Sequence, residues 1–158
     1  MFTNRIKGKK ALITGATSGI GKAIAEELAK AGVNVIITGR RGKLLQVLKN
    51  ELESQSGISA QIGVFDVRNK EEIQAFLNTL DDLSDIDILV NNAGIAHVGN
   101  VENTNEDDLD RIYEVNIKGV FNCLKAVIPY MKSAKKGCII NMASIASVVG
   151  IQDRFAYS

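Results

Sequence analysis

Five short apolar runs alternate along the chain with stretches in which apolar residues recur every three or four positions. The runs are rich in Val and Ile and apolar at consecutive positions, which is typical of strands buried on both faces of a sheet. The spacing of three and four between them indicates amphipathic helices. The pattern therefore predicts strands at 11–13, 33–38, 60–65, 86–90 and 138–142, and helices at 24–29, 44–52, 69–80 and 104–131.

The longest helical pattern runs from about Thr104 to Met131. Thr104 is a favourable N-cap residue, and Asp107 follows three positions later, where a carboxylate can return a hydrogen bond to the cap. Pro129 lacks the backbone N–H that a helix interior requires. The pattern therefore predicts that this helix is kinked or ends at Pro129.

The regular alternation of strands and helices predicts a parallel sheet, because parallel strands need a long crossover connection between them. Right-handed crossovers then place helices on both faces of the sheet. The expected fold is an α/β doubly wound parallel sheet with three layers, α/β/α. Residues 1–158 are expected to form a single domain.

Composition is that of an ordinary globular domain and disfavours several kinds of partner. Of the 158 residues, 46% are hydrophobic and 23% are charged, and the formal net charge is +1. Without a basic cluster the chain is not expected to bind nucleic acid or a membrane surface, and no run approaches the ~18 apolar residues of a membrane span. Cys123 and Cys138 have neither metal-ligand spacing nor a disulfide pattern. This predicts no metal site and a location in the reducing cytoplasm.

The first strand runs into a glycine-rich turn, which a helix follows. The turn reads Thr14-Gly15-x-x-x-Gly19-Ile20-Gly21. A helix N-terminus carries unpaired N–H groups and a partial positive charge, so a diphosphate can bind there if no Cβ blocks its approach. Gly15 can supply the turn, Gly19 the close approach and Gly21 the close packing of helix on strand. A glycine-rich turn without any ligand remains an alternative at this point.

Polar or glycine residues follow each of the five strands. Ligands of doubly wound sheets bind beyond the carboxyl ends of the strands, so these residues are expected to converge on one crevice. With the glycine turn, this predicts a dinucleotide-binding domain of the Rossmann type. The residues at the strand ends are Gly15, Gly39 and Arg40, Asp66, Asn92 to Gly94, and Ser144.

The ordered set of motifs resembles the short-chain dehydrogenase/reductase family over nearly the whole chain. The matching features are the T-G-x-x-x-G-I-G turn, Asp66-Val67, N-N-A-G at 91–94, Asn116, and Ser144 followed thirteen positions later by Tyr157. The resemblance implies an oxidoreductase that transfers a hydride between a nicotinamide cofactor and a small-molecule carbonyl or alcohol substrate. Candidate substrates are 3-oxoacyl thioesters, sugars or polyols, and small ketones.

The resemblance also implies which residues bind the cofactor. Asp66 would accept a hydrogen bond from the adenine amino group, and Val67 would present its backbone nearby. Asn92, Ala93 and Gly94 would line the central region of the cofactor. The turn residues implied to hold the diphosphate and the adenosine ribose are Gly15, Thr17, Ser18, Gly19, Ile20 and Gly21.

Two arginines at the end of the second strand bear on the choice of cofactor. NAD enzymes commonly place an acidic residue there to accept from the ribose 2′-OH. This chain has Arg40 and Arg41 after Gly39, and a guanidinium suits a 2′-phosphate. The sequence therefore favours NADP(H) over NAD(H). The alternative is that both arginines are solvated surface charges.

The catalytic residues implied by the resemblance are Tyr157 and Ser144, supported by Asn116. Tyr157 would donate a proton to a forming alkoxide or remove one from an alcohol, and Ser144 would hydrogen-bond the substrate oxygen. Asn116 would bind a water in a proton relay. Each also has an ordinary structural explanation: a turn cap for Ser144, a surface position for Asn116 and a half-buried aromatic for Tyr157.

The sequence departs from the family pattern at its end. The family has a Lys four residues after the catalytic Tyr, and that position, 161, lies beyond Ser158. We therefore expect the N-terminal two-thirds of a family member, with the later strands and helices missing and the fifth strand left as an exposed apolar edge. The 158 residues alone are expected to be weakly active or inactive, and the complete protein to be a homodimer or homotetramer.

Two other functions remain open. A catalytically inactive dinucleotide-binding module, acting as a sensor or partner protein, would bind the cofactor without turnover. A sugar-nucleotide epimerase is disfavoured by the N-N-A-G run and by the spacing of the glycine turn. His97, the single histidine, follows Gly94 by three positions and is expected to be a loop residue at the edge of the crevice.

Overall fold

The computed structural model describes residues 5–158, in which five parallel strands form one sheet. The strands are β1 (Lys10–Ile13), β2 (Asn34–Gly39), β3 (Ala60–Val64), β4 (Ile86–Asn91) and β5 (Cys138–Asn141). The helices are α1 (Gly19–Lys30), α2 (Gly42–Ser56), α3 (Lys70–Leu77), α4 (Glu106–Tyr113) and α5 (Gly119–Ala134). The strand order β3-β2-β1-β4-β5, parallel throughout, confirms the predicted doubly wound sheet.

The sheet separates two apolar cores, one on each face. Neighbouring residues of a strand point to opposite faces, so Ala11 and Ile13 pack into one core and Leu12 into the other. Residues of α1 and α2 complete the first core, and residues of α3 and α5 complete the second. The three predicted layers are therefore confirmed, and the burial of both strand faces explains why the strands are continuously apolar.

The start of the long helical pattern differs from the prediction. Asn105, rather than Thr104, caps α4, because its side chain accepts a hydrogen bond from the backbone N–H of Asp108 at 2.8 Å. Thr104 belongs to the preceding turn, where its hydroxyl donates to the Asn100 carbonyl at 2.7 Å. The turn thus occupies the hydroxyl that would otherwise cap the helix.

Residues 104–131 also do not form one continuous α-helix. A π-helical segment, Glu114–Lys118, separates α4 from α5, and the Gly119 N–H donates to the Glu114 carbonyl. Of the two outcomes expected at Pro129, a kink or an end, the structure excludes the end, since α5 continues to Ala134. Pro129 lies on the exposed side of α5, where water can hydrate the carbonyl that loses its N–H donor.

A bulge at Asp87 interrupts the pairing of β1 with β4. Lys10 pairs with Ile86 and Ala11 with Ile88, so Asp87 is the extra residue. Its carboxylate accepts hydrogen bonds from the Lys10 backbone N–H at 3.1 Å and from the Lys9 ammonium at 3.1 Å. The bulge therefore replaces a lost ladder bond with a side-chain acceptor.

Strand β5 forms one edge of the sheet, and its four residues are exposed. Its outer edge includes Ile139 and Ile140, which are both exposed. The expected exposed apolar edge is therefore present in this chain. Among the helices of residues 5–158, none combines the length and apolarity needed to cross a membrane.

Candidate functional site

A cleft of about 350 Å³ opens where strands β1 to β4 end at their carboxyl termini. All the residues predicted to hold the cofactor line this cleft, except Gly19. The predicted convergence is therefore seen for the ends of β1 to β4, whereas Ser144, which follows β5, is not among the lining residues. The lining residues are Gly15, Thr17, Ser18, Ile20, Gly21, Gly39, Arg40, Arg41, Phe65, Asp66, Val67, Asn92, Ala93, Gly94, Ile95 and Val115.

Close backbone approaches explain two of the glycines in the turn. Gly15 has a φ of +67°, and a Cβ there would lie 2.8 Å from the Cα of Ala93. A Cβ on Gly21 would collide with the Asn92 side chain and with the Gly15 carbonyl oxygen. The start of α1 can therefore lie against the end of β4 only without side chains at these positions. Gly19 has open space around it, and its φ of +57° is the reason for glycine there.

Thr14 joins the glycine turn to the loop that follows β4. Its buried hydroxyl accepts hydrogen bonds from the backbone N–H groups of Asn92 and Ala93, each at 3.0 Å. The Asn92 side chain returns a hydrogen bond to the Thr14 carbonyl at 3.0 Å. These bonds fix two walls of the cleft relative to each other. Thr14 opens the T-G-x-x-x-G-I-G motif, but the motif alone does not predict this linking role.

The two arginines after β2 lie in different environments. Arg41 spans back to the glycine turn, where its guanidinium donates to the hydroxyls of Thr17 at 3.2 Å and Ser18 at 2.8 Å. Arg40 instead points towards Asp66, with 3.8 Å between its Nη1 and the carboxylate. Both arginines line the cleft, so two cationic groups lie beside the turn predicted to bind phosphate.

Asp66 is held in place by its neighbour Arg68. The Arg68 guanidinium donates to both carboxylate oxygens, at 3.1 and 2.7 Å. These hydrogen bonds hold the pKa of Asp66 below its ordinary value, against the opposing effect of burial. Asp66 is therefore a charged acceptor in the cleft, and its position is fixed before any ligand arrives.

Helix α5 supports this wall of the cleft from behind. A Cβ on Gly119 would lie 2.6 Å from Cγ2 of Val67, so only glycine lets the helix approach this closely. One turn later, the Asn122 amide donates to the carbonyls of Val67 at 3.0 Å and Arg68 at 3.2 Å. No local sequence pattern indicates either supporting residue, because their partners are more than fifty positions away in the chain.

Asn116 is bound to the loop that follows β4. Its Oδ1 accepts from the Ile95 N–H, and its Nδ2 donates to the Ile95 carbonyl, each at 2.9 Å. Asn116 lies in the π-helical segment. Its two hydrogen bonds therefore connect that segment to Ile95, which lines the cleft. Each of these side-chain atoms makes one bond to Ile95, which leaves one acceptor site on Oδ1 and one N–H on Nδ2 for a water of the predicted relay.

The two residues predicted to carry the chemistry lie outside the lining of this cleft. Ser144 follows β5 and caps the short helical turn Ile145–Ser147, where its Oγ accepts from the Ala146 N–H at 3.2 Å. Tyr157 is half-buried and ends a second short turn, Phe155–Tyr157. The cap is the ordinary structural role considered for Ser144, and it leaves the hydroxyl proton available to donate.

His97 is bound into the loop after β4 rather than presented to the cleft. Its side chain is 14% exposed, and its Nδ1 lies 3.7 Å from the Asp108 carboxylate on α4. It is not among the residues that line the cleft. The structure thus places His97 as a loop residue, as expected.

Three apolar side chains of the cleft were missed by the sequence analysis. Phe65, Ile95 and Val115 all line it. Phe65 and Val115 immediately precede Asp66 and Asn116, two residues that the motifs identify. This adjacency to motif residues is the only indication in the sequence that Phe65 and Val115 line the cleft. It is not sufficient, because apolar residues are equally expected in the core.

Comparisons with known proteins agree with this arrangement. Residues 9–158 match a family model described as short chain dehydrogenase. The chain is similar to a 3-oxoacyl-(acyl-carrier-protein) reductase of Thermotoga maritima, with 37% identity over 147 residues, which are 92% of this chain and 59% of that protein. It spans about 60% of the length of the curated relatives it matches.

Two solved structures share the fold at high similarity. NAD+-bound xylitol dehydrogenase superimposes with a TM-score of 0.90 and 32% identity, covering 97% of this chain and 59% of that one. L-sorbose reductase from Gluconobacter frateurii, complexed with NADPH and L-sorbose, gives a TM-score of 0.89 and 28% identity, covering 96% and 58%. Proteins similar to this chain therefore bind NAD+ in one case and NADPH in the other.

Proposed function

The chain belongs to the short chain dehydrogenase family, and we propose that the protein transfers a hydride between a nicotinamide dinucleotide and a carbonyl or alcohol carbon. The observation that carries this proposal is the single cleft in which the glycine turn, Asp66-Val67 and Asn92–Gly94 meet. Each of these segments comes from a different strand end, and ligands of doubly wound sheets bind at that edge.

The described residues fit such a cofactor. Gly19 is the first residue of α1 and has open space where a Cβ would lie, so no side chain at this position covers the backbone N–H groups that a diphosphate would approach. Asp66 is a charged acceptor for the adenine end, and Phe65 and Val115 provide apolar surface for a flat ring. When bound, the nicotinamide supplies or accepts the hydride, and the protein supplies the orientation and the proton.

We favour NADP(H) over NAD(H) as the cofactor. Support comes from Arg40 and Arg41, which line the cleft beside the turn. Arg41 is already oriented over the turn by Thr17 and Ser18, so a 2′-phosphate would meet a guanidinium that needs little reorganisation. No acidic residue follows Gly39 to accept from a ribose 2′-OH.

We assign the proton transfer to Tyr157 and the polarisation of the substrate oxygen to Ser144. A phenol has a pKa near ~10 in water, so Tyr157 needs positive charge nearby to exchange a proton near neutral pH. The hydroxyl proton of Ser144 is free to donate to a substrate oxygen. Asn116 acts by holding Ile95 at the wall of the cleft.

The substrate class remains that of the sequence analysis: a 3-oxoacyl thioester, a sugar or polyol, or a small ketone. The similar proteins include a 3-oxoacyl reductase, a xylitol dehydrogenase and an L-sorbose reductase. These names cover two of the three candidates.

Turnover by the full-length protein tests the proposal. NADPH oxidation is followed with one carbonyl compound from each class, in the wild type and in Tyr157→Phe. The variant should lose turnover and keep NADPH binding, because only the phenolic O–H is removed. The matched control is Tyr130→Phe on α5, which should remain active. A wild type that binds NADPH and turns over none of the compounds, or an active Tyr157→Phe, contradicts the proposal.

A further inference from the structure

A backbone bridge links the loop after β4 to the segment that carries Tyr157. Gly99 and Arg154 form an isolated parallel β-bridge. The Gly99 N–H donates to the Asp153 carbonyl, and the Phe155 N–H donates to the Gly99 carbonyl, each at 3.0 Å. We call this pair of hydrogen bonds, between Gly99 and residues 153 and 155, the loop bridge.

Tyr157 is only two residues beyond the loop bridge. Its backbone N–H donates to the Arg154 carbonyl at 2.9 Å, which closes the short turn Phe155–Tyr157 directly on the bridged residue. This turn also packs against α4. Any displacement of the loop bridge is therefore passed to Tyr157 through one turn of backbone.

Gly99 is also the residue that allows the bridge to form. It is buried, and a Cβ there would lie 2.7 Å from both His97 Nε2 and Asn103 Oδ1. Asn103 Oδ1 cannot easily move away, because it accepts from the Asn100 N–H at 2.8 Å. His97 Nδ1 lies 3.7 Å from the Asp108 carboxylate.

The other end of the same loop is fixed to the cofactor cleft. Asn92 and Ala93 are bound to Thr14, and Ile95 is bound to Asn116. The loop thus has one end in the wall of the cleft and the other in contact with the Tyr157 segment. A side chain that exchanges a proton with a substrate beside the cofactor must be held at a fixed position relative to the cleft.

We propose that Gly99 is a positioning residue, which sets the place of the Tyr157 hydroxyl relative to the cleft through the loop bridge. This rests on the proposed function, in which Tyr157 transfers the proton. Gly99 does not line the cleft, so it acts on the chemical step and not on cofactor binding.

The test is Gly99→Ala in the full-length protein, measured well below its melting temperature. A misplacement of about 1 Å can cost about 10²-fold in rate, so we expect kcat to fall by about 10- to 100-fold while the Kd for NADPH stays within about twofold. The solvent deuterium isotope effect on kcat should rise, because proton transfer becomes limiting. A loss of stability alone would not change that isotope effect.

Hydrogen exchange provides a readout that does not depend on activity. In Gly99→Ala the backbone amides of residues 99 and 155 should exchange faster than in the wild type. The matched control is Gly150→Ala, because Gly150 lies between β5 and Tyr157 and has no heavy atom within 4 Å of its Cβ position. It should change neither exchange nor kcat.

A second variant covers the case in which Gly99→Ala does not fold. Phe155→Pro removes the N–H that donates to the Gly99 carbonyl without adding atoms at Gly99, and it should give the same fall in kcat. Faster exchange with unchanged kcat overturns the proposal, as does a fall in kcat without faster exchange. An equal loss of NADPH binding and turnover indicates a general fold defect and also overturns it.

The proposal and the proposed function can fail separately. If the wild type turns over no substrate and the exchange results are still as expected, the proposed function has failed. The loop bridge is then a structural contact, and Gly99 has no positioning role. If the wild type is active and Gly99→Ala is equally active, only the role of Gly99 has failed.

Discussion

A single methyl group at Gly21 would separate the glycine turn from the loop after β4. It would collide with the Gly15 carbonyl of the backbone and with the Asn92 side chain, whose amide is bonded to the Thr14 carbonyl at 3.0 Å. We predict that Gly21→Ala weakens NADPH binding by at least about tenfold, or ~1.4 kcal/mol. Fluorescence titration measures this. Gly150→Ala serves as the control, and equal affinities for the two variants would contradict the packing argument.

The two arginines after β2 lie in different environments, and each gives a prediction about cofactor binding. Arg41 is bound to Thr17 and Ser18 of the turn, whereas Arg40 points towards Asp66. Hydrogen bonds to charged groups contribute about 1.5–3 kcal/mol, so Arg41→Ala should raise the Kd for NADPH about tenfold or more and leave that for NADH nearly unchanged. Arg40→Asp should act in the same direction, because it places a carboxylate beside the phosphate.

Titration of both variants with both cofactors measures the preference. If the ratio of the two Kd values stays at the wild-type value in both variants, the arginines are solvated surface charges. That was the alternative left open by the sequence.

At the scale of residues, the sequence predicts which side chains surround the cleft but not which contacts they make. The residues after β1 to β4 meet in the cleft, because the carboxyl ends of parallel strands share one edge. That Arg68 binds Asp66, or that Asn122 supports Val67, depends on the approach of α5 and on side-chain conformations. No local pattern encodes those distances.

At the scale of elements, the bulge at Asp87 joins three parts of the sheet. Its carboxylate accepts from the Lys10 N–H and the Lys9 ammonium, and it lies 3.2 Å from the Lys136 ammonium. Burial raises the pKa of Asp87, but these donors outweigh it and hold the pKa below the ordinary value. We predict that Asp87→Asn lowers the free energy of unfolding by about 1–3 kcal/mol at neutral pH.

The pH dependence follows from the direction of that shift. A carboxyl whose pKa is lower in the folded state stabilises the protein above its unfolded pKa of ~3.9, and this contribution is lost as the pH falls through the folded value. The difference in unfolding free energy between wild type and Asp87→Asn should therefore shrink below about pH 4. Urea denaturation at several pH values measures it, with the exposed Asp81→Asn as the control. A difference that grows at low pH would contradict this account.

The helices show where element prediction from sequence reaches its limit. Apolar spacing identifies the amphipathic stretch from 104 to 131, because the face that meets the sheet must be apolar. It does not reveal the π-helical segment, whose Asn116 side chain is bonded to Ile95, a residue 21 positions away. Apolar spacing also does not predict that α5 continues beyond Pro129, because this depends on the exposure of that side of the helix.

At the scale of the whole molecule, an apolar stripe runs along the outside of α4 and α5. Its members are Leu109, Tyr113, Ile117 and Phe121, all exposed and spaced four residues apart. The homodimer or homotetramer implied by the family resemblance would bury such a stripe. We predict that Phe121→Glu lowers the molar mass of the full-length protein in light scattering. Val47→Glu is the matched control, because Val47 is an exposed apolar residue of α2. A wild-type monomer, or an unchanged mass in Phe121→Glu, would contradict the expected assembly.

The global fold is the part that the sequence predicts best. Alternating elements, short connections and right-handed crossovers leave few arrangements for five parallel strands, and the predicted one is present. The position of the segment that carries Tyr157 is not predicted by the sequence in this way. It depends on the loop bridge at Gly99, which consists of backbone hydrogen bonds that no hydrophobic pattern encodes.

We propose above all that the cleft at the strand ends binds a nicotinamide dinucleotide. Titration of the full-length protein with NADPH, followed by the fluorescence of the nicotinamide, tests this most directly. We expect a saturable change in fluorescence that NADP+ reverses by competition and that Gly21→Ala abolishes or weakens. Absence of saturable binding for both NADPH and NADH, in a protein shown to be folded, would contradict it.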